Sequence, residues 1–443
     1  MLFERIESAG LAHYSYIIGD QKEAVVIDPR RDIDAYLEVA NKNGMAITNV
    51  LETHRNEDYI IGSKELADRT GAAIFHSDYD DFEYEYGTTI KDEDLIRFGN
   101  LKMKAIHTPG HTKGHMSYLL YDADQNPWVI FTGDVIFAGD VGRTDFYAGQ
   151  NKEMTGKLYD SIFNKILPLG DGVIICPSHG AGSVCGSAIT ERIWTTIGLE
   201  RKNSPALQYK NKQDFIEVHH QNLDYPPYFE EMERLNKTGA EIFGNVPHPT
   251  PLTASDFMDS IEDAQILDIR SEMCFGAGHI PNSIYIEKDM LSKFAGWLLN
   301  YESPIVLISD SNIPNQVFRE LFRLGFDNIK GYLGGGMTTA VQAGIKTKSI
   351  PTIDAVSVND KSSDFFILDV RGEEEVEEGD LDSDIRMKIY KLADNLDKIP
   401  RDKTICIFCG SGIRSMMAAS ILENAGYKNL TVALGGTSGL NVL

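Results

Sequence analysis

Three short sequence pairs constrain this chain more than any bulk property does. ILDIR at 266–270 returns as ILDVR at 367–371, LGFDNI at 324–329 as AGYKNL at 425–430, and LGGG at 333–336 as LGGT at 434–437, each pair 101 residues apart. A common offset across three separated segments implies two homologous units of about that length. Each unit reads strand, helix, strand, helix, strand, which predicts an α/β domain with a largely parallel sheet. The joint between them is KTKSIPTI at 346–353. Upstream, GNVPHPTPLT at 244–253 holds three prolines, which disfavour regular structure and mark a linker. The expected domains are therefore 1–245, 253–347 and 352–443 of the 443 residues.

The first of these alternates short β-branched runs with helical patterns. AVVID (24–28), ITNVLE (47–52), AAIF (72–75), LKMKAI (101–106), WVIFT (128–132) and GVIICP (172–177) read as strands, and 32–44 and 152–167 as helices. With 66 acidic against 42 basic residues the net charge is −24, which argues against nucleic-acid and membrane-surface partners but not against a small anion in a local basic pocket. The five cysteines (Cys176, Cys185, Cys274, Cys406 and Cys409) are too few and odd in number for a disulfide framework. The N-terminus has no basic head followed by an apolar stretch, and no apolar run is long enough to span a bilayer, so a cytoplasmic protein is expected.

Histidines and aspartates fall just past the strand ends of this first domain: His54, Asp58, His111, Asp134 and His179. One histidine says little, but five metal-ligand side chains on loops after strands can converge on one crevice. His107 and His115 share a four-residue spacing with His111, yet Pro109 and Gly110 lie in that span and oppose a helix, so only His111 is read as a ligand. His13, His76, His219, His220 and His248 are read as structural or exposed, and Cys176 as core.

The segments HRNEDY (54–59), TPGHT (108–112), FTGD (131–134) and PSHG (177–180) resemble, in order, the metal motifs of the metallo-β-lactamase superfamily over about residues 1–240. That resemblance implies an αββα sandwich. The family's first motif is His-x-His-x-Asp-His; here Asn56 and Tyr59 replace two histidines, one from each metal of a dinuclear zinc site. What survives is similar to the mononuclear set of the persulfide dioxygenase branch. It implies one Fe(II) per chain on His54, His111 and Asp134, a facial triad with positions open for a thiolate and O₂, while Asp58 and His179 orient ligands or line the pocket. VGRTDF (141–146) resembles the segment after the iron aspartate in those enzymes, implying that Arg143 sits near the site; the alternative is an ion pair with Asp145 or Asp140. Cys185, in HGAGSVCG (179–186), is similar to a cysteine near the iron-site mouth of dioxygenase–rhodanese fusions, where a sulfur relay competes with a buried inert thiol. YPPYFEEMERLN (225–236) resembles the end of the first domain in those fusions.

The last repeat carries ICIFCGSGIRS at 405–415, an apolar strand ending at Cys409, a glycine loop, Arg414 and a helical run. Loop N–H groups and a helix N-terminus stabilise a thiolate or persulfide there, and Arg414 can bind a sulfur oxyanion. Cys-x₄-Arg after a strand resembles the rhodanese active-site loop, which makes Cys409 the sulfur-carrying nucleophile; Cys406 reads as core. The middle repeat has the rhodanese-like CFGAGHIPNSIYI (274–286), but the position matching Cys409 falls between Ile308 and Asp310, with no cysteine or arginine from 304 to 318. Without a nucleophile it cannot carry sulfur, and Cys274 is in the wrong segment. It is expected to be a spacer or the dimer surface of a homo-oligomer. The last repeat departs from its family at EEGDLDSDIRM (377–387), with Glu373, Glu374, Glu375, Glu377 and Glu378 in and before it.

Together the resemblances imply a persulfide dioxygenase that turns a low-molecular-weight thiol persulfide, O₂ and water into sulfite and thiol, coupled to sulfur transfer through Cys409 that forms or uses thiosulfate. Two alternatives stand: a zinc thioesterase of the glyoxalase II type, and a metal-free sulfur carrier or redox protein acting through Cys409.

Overall fold

The computed structural model describes all residues except 9, 184, 187, 210, 221, 311, 312, 314, 361–363, 377–380 and 441–443. Its contacts divide the chain into two units, Met1–Val246 with Phe322–Gly325, and Pro247–Leu321 with Phe326–Leu443.

The first unit is built on two six-stranded sheets. One runs Leu2–Ser8, His13–Asp20, Glu23–Ile27, Ala46–Leu51, Ala73–Ser77, Thr88–Ile90, in chain order across the sheet. The other runs Thr195–Thr196, Ile174–Pro177, Pro127–Gly133, Met116–Tyr121, Leu101–His107, Leu95–Phe98. Strand alternation sends Ile18, Val25, Ile27 and Leu51 inward against Phe98, Met103, Tyr118, Leu120 and Phe131 of the facing sheet. Their neighbours Ile17, Val26 and Val50 point outward onto Tyr36, Ala40 and Leu66 of the helices Asp34–Lys42 and Ser63–Thr70. On the other outer face Ile106, Leu119, Ile130 and Ile175 meet Leu158, Ile162 and Phe215. Each fully buried aliphatic or aromatic side chain of this kind contributes about 1.5–3 kcal/mol. The layering is helix, sheet, sheet, helix, as the sequence resemblance implies. The strands Ala46–Leu51, Pro127–Gly133 and Ile174–Pro177 end at a common edge of the two sheets, where the loops that follow them come together.

In the second unit two five-stranded parallel sheets repeat one topology. Pro251–Leu252, Ile329–Leu333, Ile305–Ile308, Gln265–Asp268 and Ser283–Tyr285 form the first. Thr352–Asp354, Leu430–Leu434, Ile405–Phe408, Phe366–Asp369 and Ile385–Arg386 form the second. Both hold the same buried ion pair, Arg270 on Asp268 and Arg371 on Asp369.

The uniform offset read from sequence does not survive in the ladders. Leu267 pairs with Leu307 and Leu307 with Tyr332, whereas Leu368 pairs with Ile407 and Ile407 with Val432. The first strands are thus 101 apart but the next two 100 apart. A bulge in the middle repeat, where Ile305 pairs with Ile329 but Val306 with Gly331, absorbs the extra residue Lys330. In this register Ser309 stands where Cys409 stands.

Candidate functional site

Four loops build the first cluster. The strand Ala46–Leu51 delivers Thr53, His54 and Asp58; the turn after Leu101–His107 delivers His111; Pro127–Gly133 ends at Asp134; and Ile174–Pro177 leads into His179. Gly133 has φ +50°, a conformation that favours glycine, and its Cα faces the His115 ring and Thr53, so a side chain has no room there. This bend aims Asp134 into the crevice.

His54, His111 and Asp134 are all buried, with one ligand atom from each within 4.8 Å of the others. Asp134 Oδ2 lies 3.8 Å from His54 Nε2 and 3.5 Å from His111 Nε2. Ligands bound to one ion at about 2.0–2.2 Å stand roughly 3–3.5 Å apart, so the set needs only a small contraction to close on a metal.

The hydrogen bonds behind these residues fix which nitrogen faces in. The Thr53 hydroxyl donates to Asp28 Oδ2 at 2.7 Å, so its oxygen accepts from His54 Nδ1 at 2.8 Å. His111 Nδ1 donates to the Arg143 carbonyl at 2.9 Å. Both rings therefore turn Nε2 to the centre, and neither Nε2 has a hydrogen-bond partner. Burial holds His54 well below the ordinary imidazole pKa, in the neutral form a metal requires. Burial opposes the negative charge on Asp134, but His179, His111 and His54 hold its carboxyl well below the usual carboxylate range.

Glu57, given no role by the sequence reading, is at the same centre. Its Oε2 lies 3.5 Å from His111 Nε2 and 3.8 Å from His54 Nε2, it is fully buried, and neither of its oxygens has a hydrogen-bond partner. Burial alone lowers the His111 pKa; Glu57 and then Asp134 reverse this and raise it. The signal was available in principle, as an acidic residue inside HRNEDY.

Two positions depart from the family motif. Asn56 is buried with its amide on the His54 carbonyl, and the Tyr59 ring packs on His13 at 4.0 Å between centroids. His115 accepts from the Asp134 backbone N–H at 3.0 Å and so shapes the aspartate's loop from behind. The Arg143 guanidinium is bound in a fork to Asp145 at 2.7 and 2.9 Å; it is the carbonyl of this residue, not its charge, that touches the centre through His111. His179 Nδ1 donates to both Asp134 oxygens at 2.8 and 3.0 Å, and its Nε2 lies 2.9 Å from Asp58 Oδ2. Cys185 is buried next to this pair, and burial, then the Asp134 and Asp58 charges, push its thiol pKa well up.

The second cluster lies in the last repeat. Ile405–Phe408 ends at Cys409, and the helix Ile413–Asn424 begins four residues later. Cys409 Sγ is buried and accepts from the Gly412 N–H at 3.1 Å, the first of the loop donors that stabilise a sulfur anion. Gly436, at φ +51°, packs directly on the Cys409 carbonyl oxygen. Arg414 is not free: Glu375 holds its Nη1 at 2.7–2.8 Å. Lys293 and Phe294 of the middle repeat share the wall of this pocket with Lys388, Tyr390 and Arg414, and Trp297 stacks on Tyr390 at 4.1 Å. Glu373 binds Arg386, while Glu377 and Glu378 lie outside the described residues. Among the described residues no helix is long and apolar enough to cross a membrane.

Residues 9–179 match the model of the metallo-beta-lactamase superfamily, and 253–341 and 354–441 each match the rhodanese-like domain. The mitochondrial persulfide dioxygenase ETHE1 of Bos taurus is 31% identical over 213 residues, covering 46% of this chain and 75% of that protein. The hydroxyacylglutathione hydrolase GloC of Haemophilus influenzae is 29% identical over 217 residues, covering 44% of this chain and 93% of that protein. The crystal structure of a metallo-beta-lactamase from Staphylococcus aureus subsp. aureus COL has a TM-score of 0.66 at 32% identity, over 75% of this chain and 98% of that one.

Proposed function

The chain belongs to the metallo-beta-lactamase superfamily and carries two rhodanese-like domains behind that fold, and from this premise we propose that it is a persulfide dioxygenase joined to a sulfurtransferase. His54, His111 and Asp134 would hold one Fe(II), which when bound would supply the redox chemistry that joins a persulfide sulfur to O₂. The observation that carries this reading is the donor set: two imidazoles with unpartnered Nε2 atoms and one ionised carboxylate, with Asn56 and Tyr59 where a dinuclear hydrolase has histidines. The net reaction is persulfide plus O₂ plus water giving thiol, sulfite and two protons.

The residues of the chain have distinct tasks in it. Thr53 and the Arg143 carbonyl keep the two imidazoles in the tautomer that faces the metal. His179 holds Asp134 through both carboxylate oxygens. The Cys409 thiolate, its sulfur held by the Gly412 N–H, attacks the outer sulfur of a second low-molecular-weight persulfide, whose S–S bond breaks to release the thiol and leave a Cys409 persulfide. Sulfite then accepts the outer sulfur, leaving thiosulfate and the Cys409 thiolate; the reverse order, with thiosulfate as donor, uses the same groups. A linked pair of sites raises the effective concentration of sulfite at the second.

The test is metal analysis of anaerobically purified protein with O₂ uptake on adding glutathione persulfide. One iron per chain, with uptake lost in His111→Ala and kept in Cys409→Ser, is the expected result. The likeness to hydroxyacylglutathione hydrolase supports the competing reading, a zinc thioesterase, which takes over if the protein holds two zinc ions and consumes no O₂. Protein with no metal leaves a sulfur carrier acting through Cys409.

A further inference from the structure

Glu57 stands at the first centre with no task among the three ligands assigned there. Its carboxyl is fully buried, and neither oxygen has a hydrogen-bond partner. The Arg55 guanidinium lies 3.7 Å from Oε1, beyond hydrogen-bond reach, and pairs more closely with Glu233 at 3.1 Å. Buried polar atoms are normally hydrogen-bonded, and a buried charge is normally paired or bound to a metal.

The inner oxygen, Oε2, bears the same relation to the two imidazoles as the aspartate does. It lies 3.5 Å from His111 Nε2 and 3.8 Å from His54 Nε2, the same two distances as Asp134 Oδ2. The small contraction that closes His54, His111 and Asp134 on one ion therefore closes Glu57 on it as well.

The chain holds this arrangement from outside. Glu57 sits in the loop after the strand Ala46–Leu51. Asn236, buried in the helix Tyr228–Thr238, donates its amide to the carbonyls of Asn56 at 2.7 Å and Tyr59 at 2.8 Å. Its own oxygen accepts from the Ile61 N–H at 2.9 Å. One side chain thus satisfies three backbone groups on the two sides of Glu57, and the carboxyl is carried inward instead of out to water.

Resting on the placement of the ion given above and not on the reaction assigned to it, we propose that Glu57 is a fourth protein ligand of the metal held by His54, His111 and Asp134, bound through Oε2. Two carboxylates and two neutral imidazoles balance a divalent charge in a buried pocket. Imidazole together with carboxylate suits Fe²⁺ and Mn²⁺. Three protein ligands leave three positions of a six-coordinate ion open, and four leave two, the number that a persulfide and O₂ need. Glu57 in this role keeps a third, idle water off the metal.

Water bound to the ion can be counted. Full-length protein, stripped of metal and given one equivalent of Mn²⁺, is read by electron–nuclear double resonance in ¹⁷O-enriched water. Two bound waters in the unaltered protein and three in Glu57→Ala is the expected result. Thr53→Val, which disturbs His54 without removing a ligand, keeps two. Chelator competition gives the matching affinities: Glu57→Ala weakens Mn²⁺ at least about a hundredfold, at or above the top of the range for groups that act from behind a ligand. Three waters in the unaltered protein, a count that Glu57→Ala leaves unchanged, or failure to bind the Mn²⁺ equivalent overturns the fourth ligand. If Glu57→Ala does not fold, the count in the unaltered protein decides. Manganese held by Glu57 in a protein that consumes no O₂ with iron sinks the dioxygenase and keeps this ligand; O₂ uptake by a centre with three waters does the reverse.

Discussion

The two candidate sites of this chain are assembled in opposite ways. The candidate metal centre draws His54, His111 and Asp134 from three loops, with His179 of a fourth behind Asp134, spread over more than a hundred residues, and each ring has a partner behind it. The Cys409 site is one contiguous loop, in which the nucleophile, its Gly412 donor and Arg414 lie within six residues. A convergent site is as good as the register of two sheets; a contiguous one is as good as a single turn. The middle repeat makes the second point by its failure. It has the same sheet, the same buried Asp–Arg pair and the same positive-φ glycines, Gly335 and Gly336 against Gly435 and Gly436, yet Ser309 ends the strand where Cys409 does. Without a cysteine at that position the repeat lacks its neighbour's candidate nucleophile, yet its Lys293 and Phe294 line a pocket with Arg414 of the last repeat.

The largest expected effects separate the two sites outright. His111→Ala removes a ligand and one of two inward imidazoles, so iron content and persulfide-dependent O₂ uptake fall to background, while thiosulfate-to-cyanide sulfur transfer stays within about twofold. Cys409→Ser does the reverse, with transfer falling roughly a thousandfold or more and metal retained. If either variant silences both activities, the sites are not independent and the comparison collapses. A smaller effect tests the partners behind the convergent centre. Thr53→Val keeps the shape but deletes the hydroxyl that orients His54. Metal affinity, read by chelator competition, is expected to drop about 10–100-fold, with the fold unchanged by circular dichroism.

The same contrast explains what the sequence could tell. The Cys409 loop is legible because its chemistry is local. The candidate ligands stand out one by one in the sequence, as His54, His111 and Asp134 each follow an apolar strand, but their partners do not, because Thr53 on His54 or the Arg143 carbonyl on His111 is a fact of packing. Glu57 was passed over as a spacer between motif residues, and only the turn of its loop brings it to 3.5 Å from His111. Six strands with β-branched or apolar runs were found, but His13–Asp20 and Met116–Tyr121, both largely buried, were passed over. Leu2–Ser8, half-buried and rich in charge, and Thr88–Ile90, only three residues long, carry too weak a pattern. The 101-residue offset holds at the first strand and at Ile329 but is 100 at the strand Ile305–Ile308 and after the bulge at Lys330, since an inserted residue in a ladder leaves no mark in a motif comparison.

Two further substitutions probe the contiguous loop by itself. Gly436→Ala places a methyl group against the Cys409 carbonyl at a φ of +51°. It is expected to cost about 1–3 kcal/mol of stability, read as a lowered midpoint of denaturation for the second unit, with transfer activity falling alongside. Gly410→Ala, where the nearest atom is 3.6 Å away, is the matched control and should be tolerated.

The smallest effect comes from Glu375→Gln. Glu375 now holds the guanidinium that an incoming sulfur oxyanion needs, and both partners are partly exposed, at 37% and 23%. An exposed pair of this kind is worth about 0.2–1 kcal/mol, so freeing Arg414 should lower KM for thiosulfate by no more than about fivefold and leave kcat nearly unchanged. Because the competitor is a screened charge, the gain should shrink as ionic strength rises. An unchanged KM at low salt means that Arg414 does not meet the anion. The oxyanion is then left to the loop N–H groups and to Lys293, and the second site, like the first, draws on more than one segment of chain.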